Sequence, residues 1–165
     1  MNYIFLDRHD SGAIARMSDL ASGIVREHYD PIVGEVQNTY MINMFQSPRA
    51  ISEQLDHGYQ YYFVADDEGG DAGFLAFYPK EDEMYISKFY LKKDMRGKGI
   101  SKDMLKFVIQ KTREIGFSSI SLNVNKRNDA VAVYERLGFK RVRKEEIDIG
   151  NGYIMDDFVY RYTIK

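Results

Sequence analysis

The sequence predicts one α/β domain, built on a mixed and mostly antiparallel central sheet with helices on both faces. Three observations support this class. Apolar residues recur at helical spacing over the first third of the chain, several short segments then alternate as strands, and the rest reads strand, helix, strand, helix and closing hairpin. No linker, repeat or low-complexity segment interrupts the 165 residues, so we expect a single domain over residues 1–165.

The first third is predicted to hold one strand and three helices. Apolar side chains from Ile14 to Val25 share a helical face, and Pro31 with Gly34 is expected to end that helix. Ser47 before Pro48 is typical of a helix start, because the serine caps free amides and the proline fits the first turn. The predicted bounds are 3–7 for the strand and 11–28, 35–45 and 48–57 for the helices.

The remaining two thirds is predicted to alternate between strands and helices. Gly116 and Gly138 each follow a helical pattern and are expected to end it. The segment "GNG" at 150–152 between two strand-like runs indicates a β-hairpin. The predicted strands are 59–66, 72–79, 83–91, 118–125, 139–149 and 153–164, and the predicted helices are 100–115 and 129–137.

Composition excludes several classes of function. The net charge of −2 and the pI of about 5.9 give no global attraction to nucleic acid or to an anionic membrane. No apolar run is long enough to span a bilayer, and the polar N-terminus does not resemble a signal peptide, so we expect a cytoplasmic protein. The chain has no cysteine, and its three histidines lie far apart, so we expect neither a covalent thiol intermediate nor a metal.

A basic glycine segment stands between a strand and a helix. It reads "KKDMRGKGIS" from Lys92 to Ser101, with Gly97 and Gly99 directly before the helical pattern. Glycines allow close backbone approach, and a helix N-terminus offers unbonded N–H groups, so the segment suits an anion such as phosphate. A surface turn that binds nothing has the same composition.

Two familiar phosphate-binding patterns do not fit this segment. A P-loop needs four residues between its glycines and a lysine after the second, whereas one residue separates Gly97 from Gly99 and Ile100 follows. A dinucleotide-binding loop needs a small third residue, where Lys102 stands.

The segment resembles the pyrophosphate loop of the GNAT superfamily of N-acetyltransferases, [QR]-x-x-G-x-[GA]. Asp94 replaces the usual Gln or Arg, while Arg96 before Gly97 matches a common variant. The resemblance implies the acyl-CoA N-acyltransferase fold and acetyl-CoA as cosubstrate. It places the diphosphate on the backbone amides of Arg96, Gly97, Lys98, Gly99, Ile100 and Ser101, with Arg96 or Lys98 adding charge.

A second motif of the same superfamily follows in "NKRNDAVAVYERLGF". Ala130, Tyr134, Gly138 and Phe139 match the pattern N-x-x-A-x-x-x-Y-x-x-x-G-F, while Asn128 stands one residue nearer the tyrosine than usual. The resemblance, which covers about residues 83–142, implies that Asn128 contacts the pantetheine arm and that Tyr134 is the general acid. From helical spacing alone, Tyr134 reads as a core aromatic.

The family mechanism implied is direct attack of a primary amine on the thioester in a ternary complex. The backbone of Phe89 and Leu91 is implied to hold the pantetheine arm, and a phenol with a pKa of about 10 stays protonated for the departing thiolate. The acceptor would be a small molecule or an amino terminus, and the family allows a homodimer. Two alternatives stay open: a non-catalytic acyl-CoA-binding module and a different phosphate binder. Candidates for the general base are Glu83, Glu27, Asp30 and Glu35.

Overall fold

The computed structural model describes all 165 residues and confirms the predicted fold class. Seven strands form one sheet in the order β1-β2-β3-β4-β5-β7-β6. Strands β4 and β5 are parallel, whereas the β1–β2, β2–β3, β5–β7 and β6–β7 pairs are antiparallel. The bounds are β1 Asn2–Phe5, α1 Ser11–Val33, α2 Glu35–Phe45, α3 Pro48–Asp56, β2 Gln60–Ala65, β3 Asp71–Lys80, β4 Glu83–Leu91, α4 Ile100–Glu114, β5 Ser119–Asn125, α5 Ala130–Leu137, β6 Lys140–Gly150 and β7 Tyr153–Thr163.

The chain divides into two compact units. Unit 1 comprises Met1–Tyr78 and Lys88–Ser101, and unit 2 comprises Pro79–Ser87 and Lys102–Lys165. In unit 1, apolar side chains of α1 pack against one face of β2 and β3, with Phe63 and Phe74 at the centre of this core. Because strand side chains alternate between faces, Tyr61 and Ala76 belong to the same face.

Helix α1 is longer than the sequence indicates. It begins after Asp10, whose side chain accepts the amide hydrogen bond of Ala13 at 2.9 Å, and it runs through Pro31 to Val33. A proline inside a helix costs about 3 kcal/mol. The additional turn, however, brings Tyr29 into the core and ends at Gly34, where φ is +89°. The prediction that Pro31 ends the helix is therefore wrong, because burial of this last turn outweighs the lost hydrogen bond.

Unit 2 follows its predicted turn signals closely. Helix α5 ends at Gly138, with φ of +106° and an amide that donates to carbonyls of the last turn. The β6–β7 hairpin turns through Asn151 and Gly152, both at positive φ, which is the conformation of a type I′ turn. A short 3₁₀ helix at Lys93–Met95, in unit 1, was not predicted.

Candidate active site

The glycine loop carries backbone donors without protein acceptors. Gly97 and Gly99 lie at φ of +75° and +77°, a conformation that glycine adopts without strain. No carbonyl accepts from the amides of Gly97, Lys98 or Gly99, and the first amides of α4 have no acceptor within their own helix. A methyl group at either glycine would meet nothing within 4 Å. The loop therefore offers several N–H groups beside open space, which fits a diphosphate.

The two basic side chains of the loop differ in their surroundings. The Arg96 guanidinium donates to the carbonyl of Leu91 at 3.0 and 3.2 Å and lies 3.6 Å from the Glu27 carboxylate. Lys98 is exposed and forms no ion pair. Lys98 is thus the cation of this loop that can turn to an anion without breaking an existing bond.

The end of β4 is fixed by a close approach of β3. A Cβ atom at Gly73 would lie 2.0 Å from the carbonyl oxygen of Tyr90 and 3.0 Å from Cα of Leu91. The amide of Lys92 donates to the carbonyl of Ala72 at 2.8 Å. Glycine is therefore required on β3 to hold this part of β4 in place. Phe89 and Leu91, the predicted pantetheine partners, both lie half-buried on this segment.

Sequence reasoning missed a buried lysine on the same strand. Lys88 is 4% exposed, and its Nζ donates to the Phe45 carbonyl at 2.6 Å and to Oε1 of Gln46 and Gln54 at 2.9 and 3.1 Å. It also donates to the Tyr61 hydroxyl. No carboxylate pairs with it, and burial lowers the pKa of this amine well below its usual value. The available signal was that Lys88 alternates with Ser87 onto the face of Ile86.

Tyr134 and Asn128 belong to unit 2, at helix α5. Tyr134 is 8% exposed, and its ring packs edge-on against Phe139 with centroids 5.7 Å apart. Asn128 is also buried, and its Oδ1 accepts the amide hydrogen bond of Ala130 at 2.9 Å. Asn128 therefore forms an Asx turn directly before α5, the helix that carries Tyr134. The loop residues Arg96 to Ser101 lie in unit 1, together with Phe89 and Leu91.

The base candidates are mostly engaged by cations or amides. Burial acts to raise the pKa of Glu83, but hydrogen bonds from Arg161 and Ser119 outweigh it and hold that pKa below its usual value. Glu83 is thus a weak proton acceptor. Glu27 pairs with Arg96. Asp30 accepts a hydrogen bond from Asn38 and pairs with Arg26. Glu35 is exposed in the first turn of α2.

Two further observations describe the whole chain. No helix combines the length and the apolar character that crossing a membrane would require. No group of three or more histidine or acidic side chains is arranged to hold a metal ion.

The fold and the loop define an acyltransferase of a known class. Residues 29–154 match the family described as "Acetyltransferase (GNAT) domain". The chain belongs to this GNAT family and is an N-acetyltransferase.

Similar proteins include two bacterial N-acetyltransferases, both named as uncharacterized. YjgM of Escherichia coli (strain K12) is 26% identical over 67% of this chain and 74% of its own length. YdgE of Bacillus subtilis (strain 168) is 28% identical over 61% of this chain and 73% of its own. Among solved structures, the PaiA N-acetyltransferase of Thermoplasma acidophilum in complex with coenzyme A superposes with a TM-score of 0.77 at 17% identity, over 99% of both chains.

Proposed function

We propose that the protein transfers the acetyl group of acetyl-CoA to a primary amine of a small molecule or an amino terminus. The observation that carries this proposal is the set of unbonded amides at Gly97, Lys98 and Gly99, on a loop that resembles the family's diphosphate loop apart from Asp94. The coenzyme A bound to the similar Thermoplasma protein supports the same cosubstrate.

The proposed reaction is direct attack in a ternary complex. A covalent relay through cysteine is impossible because the chain has none. The deprotonated amine attacks the thioester carbon, the carbon–sulfur bond breaks, and the Tyr134 hydroxyl gives its proton to the departing thiolate. The acylated nitrogen then gives its extra proton to the Tyr134 phenolate, which leaves the amide and the free thiol. The loop amides and Lys98 neutralise the diphosphate, and Asn128 with the backbone of Phe89 and Leu91 holds the pantetheine arm. A single domain, a homodimer and a cytoplasmic location stay predictions from the sequence.

The test is a thiol-release screen with acetyl-CoA against a broad panel of primary amines. A thermal-shift titration with coenzyme A is read beside it. We expect coenzyme A to stabilise the protein and at least one amine to release free thiol. Stabilisation without thiol release from any amine would favour a non-catalytic acyl-CoA-binding module. Protection by ATP but not by coenzyme A would favour a different phosphate ligand.

A further inference from the structure

A polar cluster lies on one face of the sheet in unit 2. The Tyr85 hydroxyl donates to Oδ1 of Asn123 at 3.0 Å. Nδ2 of Asn123 lies 3.4 Å from Oε1 of Glu145 and 3.4 Å from Oδ2 of Asp157. Glu145 and Asp157 are direct cross-strand partners on β6 and β7, so both carboxyl groups project from the same face. Four strands thus contribute to one cluster with two acids.

Asp157 is incompletely bonded in this cluster. The residue is 1% exposed, and its Oδ1 atom is buried with no hydrogen-bond partner. No cation forms an ion pair with it, since Arg143 pairs with Glu145 and Lys126 pairs with Asp156. A buried carboxyl oxygen without a donor costs about 1–3 kcal/mol or more, so such a group calls for an explanation. A cationic donor at this position would supply one.

The cluster has the chemistry of an amine site, and one of its two acids is partly exposed. The Glu145 side chain is 34% exposed, whereas Asp157 is 1% exposed. A primary ammonium group carries three N–H donors, and Oδ1 of Asp157 is an acceptor with no donor in the protein. The oxygens of Glu145 are already approached by Asn123 and Arg143. Glu83 on the same face is different, because Arg161 and Ser119 already occupy its carboxylate.

The ionisation of Asp157 suits proton transfer. Its pKa is raised to about 6, mainly by burial and also by the charges of Glu145 and Asp156, while the Asn123 hydrogen bond acts in the opposite direction. A carboxylate with this pKa is ionised at neutral pH and is still basic enough to accept a proton. The other titratable or charged groups of the neighbouring strands are Tyr85 on β4, Arg143 on β6 and Arg161 on β7.

We propose that Asp157, Glu145 and Asn123 bind the ammonium group of the acetyl acceptor and that Asp157 accepts its proton. This inference rests on the proposed function and names a base that was not among the four candidates from the sequence. One N–H bond of the ammonium breaks and an O–H bond forms on Asp157. The neutral amine then attacks the thioester carbon, and the thiolate leaves and takes the Tyr134 proton. The acylated nitrogen gives its second proton to the Tyr134 phenolate, and Asp157 later returns its own proton to solvent.

A binding experiment tests the ammonium site without turnover. Thermal shifts of the wild type are measured at pH 7.5 with n-butylammonium chloride, and with tetramethylammonium and magnesium chlorides at equal ionic strength. We expect butylammonium at saturating concentration to raise the Tm by about 2–4 °C, and tetramethylammonium, which has no N–H donor, to give no shift. The butylammonium shift should vanish in Asp157→Asn and persist in Asp156→Asn, an adjacent acid paired with Lys126. The assignment is overturned if butylammonium shifts the Tm of Asp157→Asn as much as that of the wild type. It is also overturned if magnesium, instead of butylammonium, gives a shift that depends on Asp157.

Kinetics with an accepted amine test the proton transfer. Asp157→Asn should lower kcat/KM for the amine by about 100-fold or more and abolish the acid limb of its pH profile near pH 6, while the coenzyme A thermal shift is kept. If Asp157→Asn does not fold, Glu145→Gln serves, because removing that charge should move the acid limb to lower pH. An unmoved limb overturns the base role. If Asp157→Asn releases thiol with wild-type kinetics, this site is refuted and the proposed function still stands. If coenzyme A gives no thermal shift with the wild type, the proposed function itself is refuted.

Discussion

Tyr134 combines two roles, core packing and proton donation, that the sequence alone presents as alternatives. It is buried and packs against Phe139 as a core aromatic does, and it also occupies the position that the family resemblance marks for the general acid. A buried ring held by a neighbouring ring keeps its hydroxyl in one direction, which a proton donor needs. Packing and chemistry are therefore compatible at this residue.

Tyr134→Phe should lower kcat by about 100-fold and leave affinity for acetyl-CoA unchanged, because the ring stays packed while the proton donor is lost. Steady-state kinetics with a coenzyme A thermal shift measure both quantities. Tyr160→Phe is the control, since its hydroxyl is occupied by Glu135. Unchanged turnover in Tyr134→Phe would remove the acid role.

Lys88 is a residue whose position, but not its burial, could be foreseen. Its alternation with Ser87 places it on the face of Ile86, but a lysine in a strand is usually exposed. Burial depends on Gln46 and Gln54, which are distant in sequence and supply the acceptors. The same limit applies to Asp157, whose missing donor only the assembled strands reveal.

Lys88→Met should destabilise the protein by about 2 kcal/mol at neutral pH, because buried acceptors lose their donor. The pKa of Lys88 is lowered in the folded state, so the unfolded chain binds more protons between that pKa and about 10.4. Wild-type stability relative to Lys88→Met should therefore rise with pH across this window. Urea unfolding at several pH values measures it, with exposed Lys106→Met as control; a pH-independent difference would show that Lys88 has an ordinary pKa.

Among the secondary-structure elements, glycines and helix caps were the sequence features that best predicted where helices and strands end. The ends of α4 and α5 and the β6–β7 turn follow Gly116, Gly138 and the Asn151–Gly152 pair, because these positions need positive φ. Helix α1 shows the limit of such signals, since tertiary burial carries it past Pro31. The loop before α4 could be proposed as a site from the sequence because its backbone, rather than distant side chains, provides the donors.

Gly99→Ala should weaken coenzyme A binding by tenfold or more, because its methyl group enters the open space beside the loop amides. It should also cost about 1 kcal/mol of stability, since alanine is strained at φ of +77°. Gly69→Ala is a matched control, with φ of +86° and equally open surroundings in the β2–β3 turn. Calorimetric titration with coenzyme A compares them, and equal affinities would exclude the loop from the site.

Gly73→Ala should be the most damaging glycine substitution in unit 1. Its Cβ would lie 2.0 Å from a backbone oxygen of Tyr90, and backbone cannot move aside as a side chain can. We expect a loss of about 3 kcal/mol or more, or a displaced β4 end with weakened coenzyme A binding. Gly23→Ala, mid-helix with nothing within 4 Å, should instead stabilise by about 0.5–1 kcal/mol. Denaturant unfolding of both variants measures these changes in stability. A Gly73→Ala variant as stable as the wild type would contradict the close approach of the strands.

For the molecule as a whole, the fold class and the family could be predicted from the sequence, since periodicity and the two motifs carry them. The acceptor could not be predicted, because the acceptor site that we propose consists of side chains brought together from separate strands. The acids in unit 2 also give the whole protein opposing pH responses. The lowered pKa of Glu83 contributes stability that is lost as pH falls through it, whereas the raised pKa of Asp157 works the other way.

Asp157→Asn should reveal this second response. The folded pKa of about 6 lies above the usual 3.8, so the folded state binds the extra proton between these values. The stability of the ligand-free wild type relative to Asp157→Asn should therefore fall as pH rises from about 4 to about 6 and then level off. Urea melts across this range measure the difference. A difference that is flat with pH would mean that Asp157 titrates normally.

The oxygens around the Lys88 amine are all uncharged, belonging to a carbonyl, two carboxamides and a phenol. Dissolved ions screen attraction between opposite charges in water, and here there is no anion to be screened and no water between the partners. The attachment of β4 to the ends of α2 and α3 should accordingly hold as firmly in concentrated brine as in dilute buffer, whereas the exposed contact of Arg96 with Glu27 should loosen as salt is added.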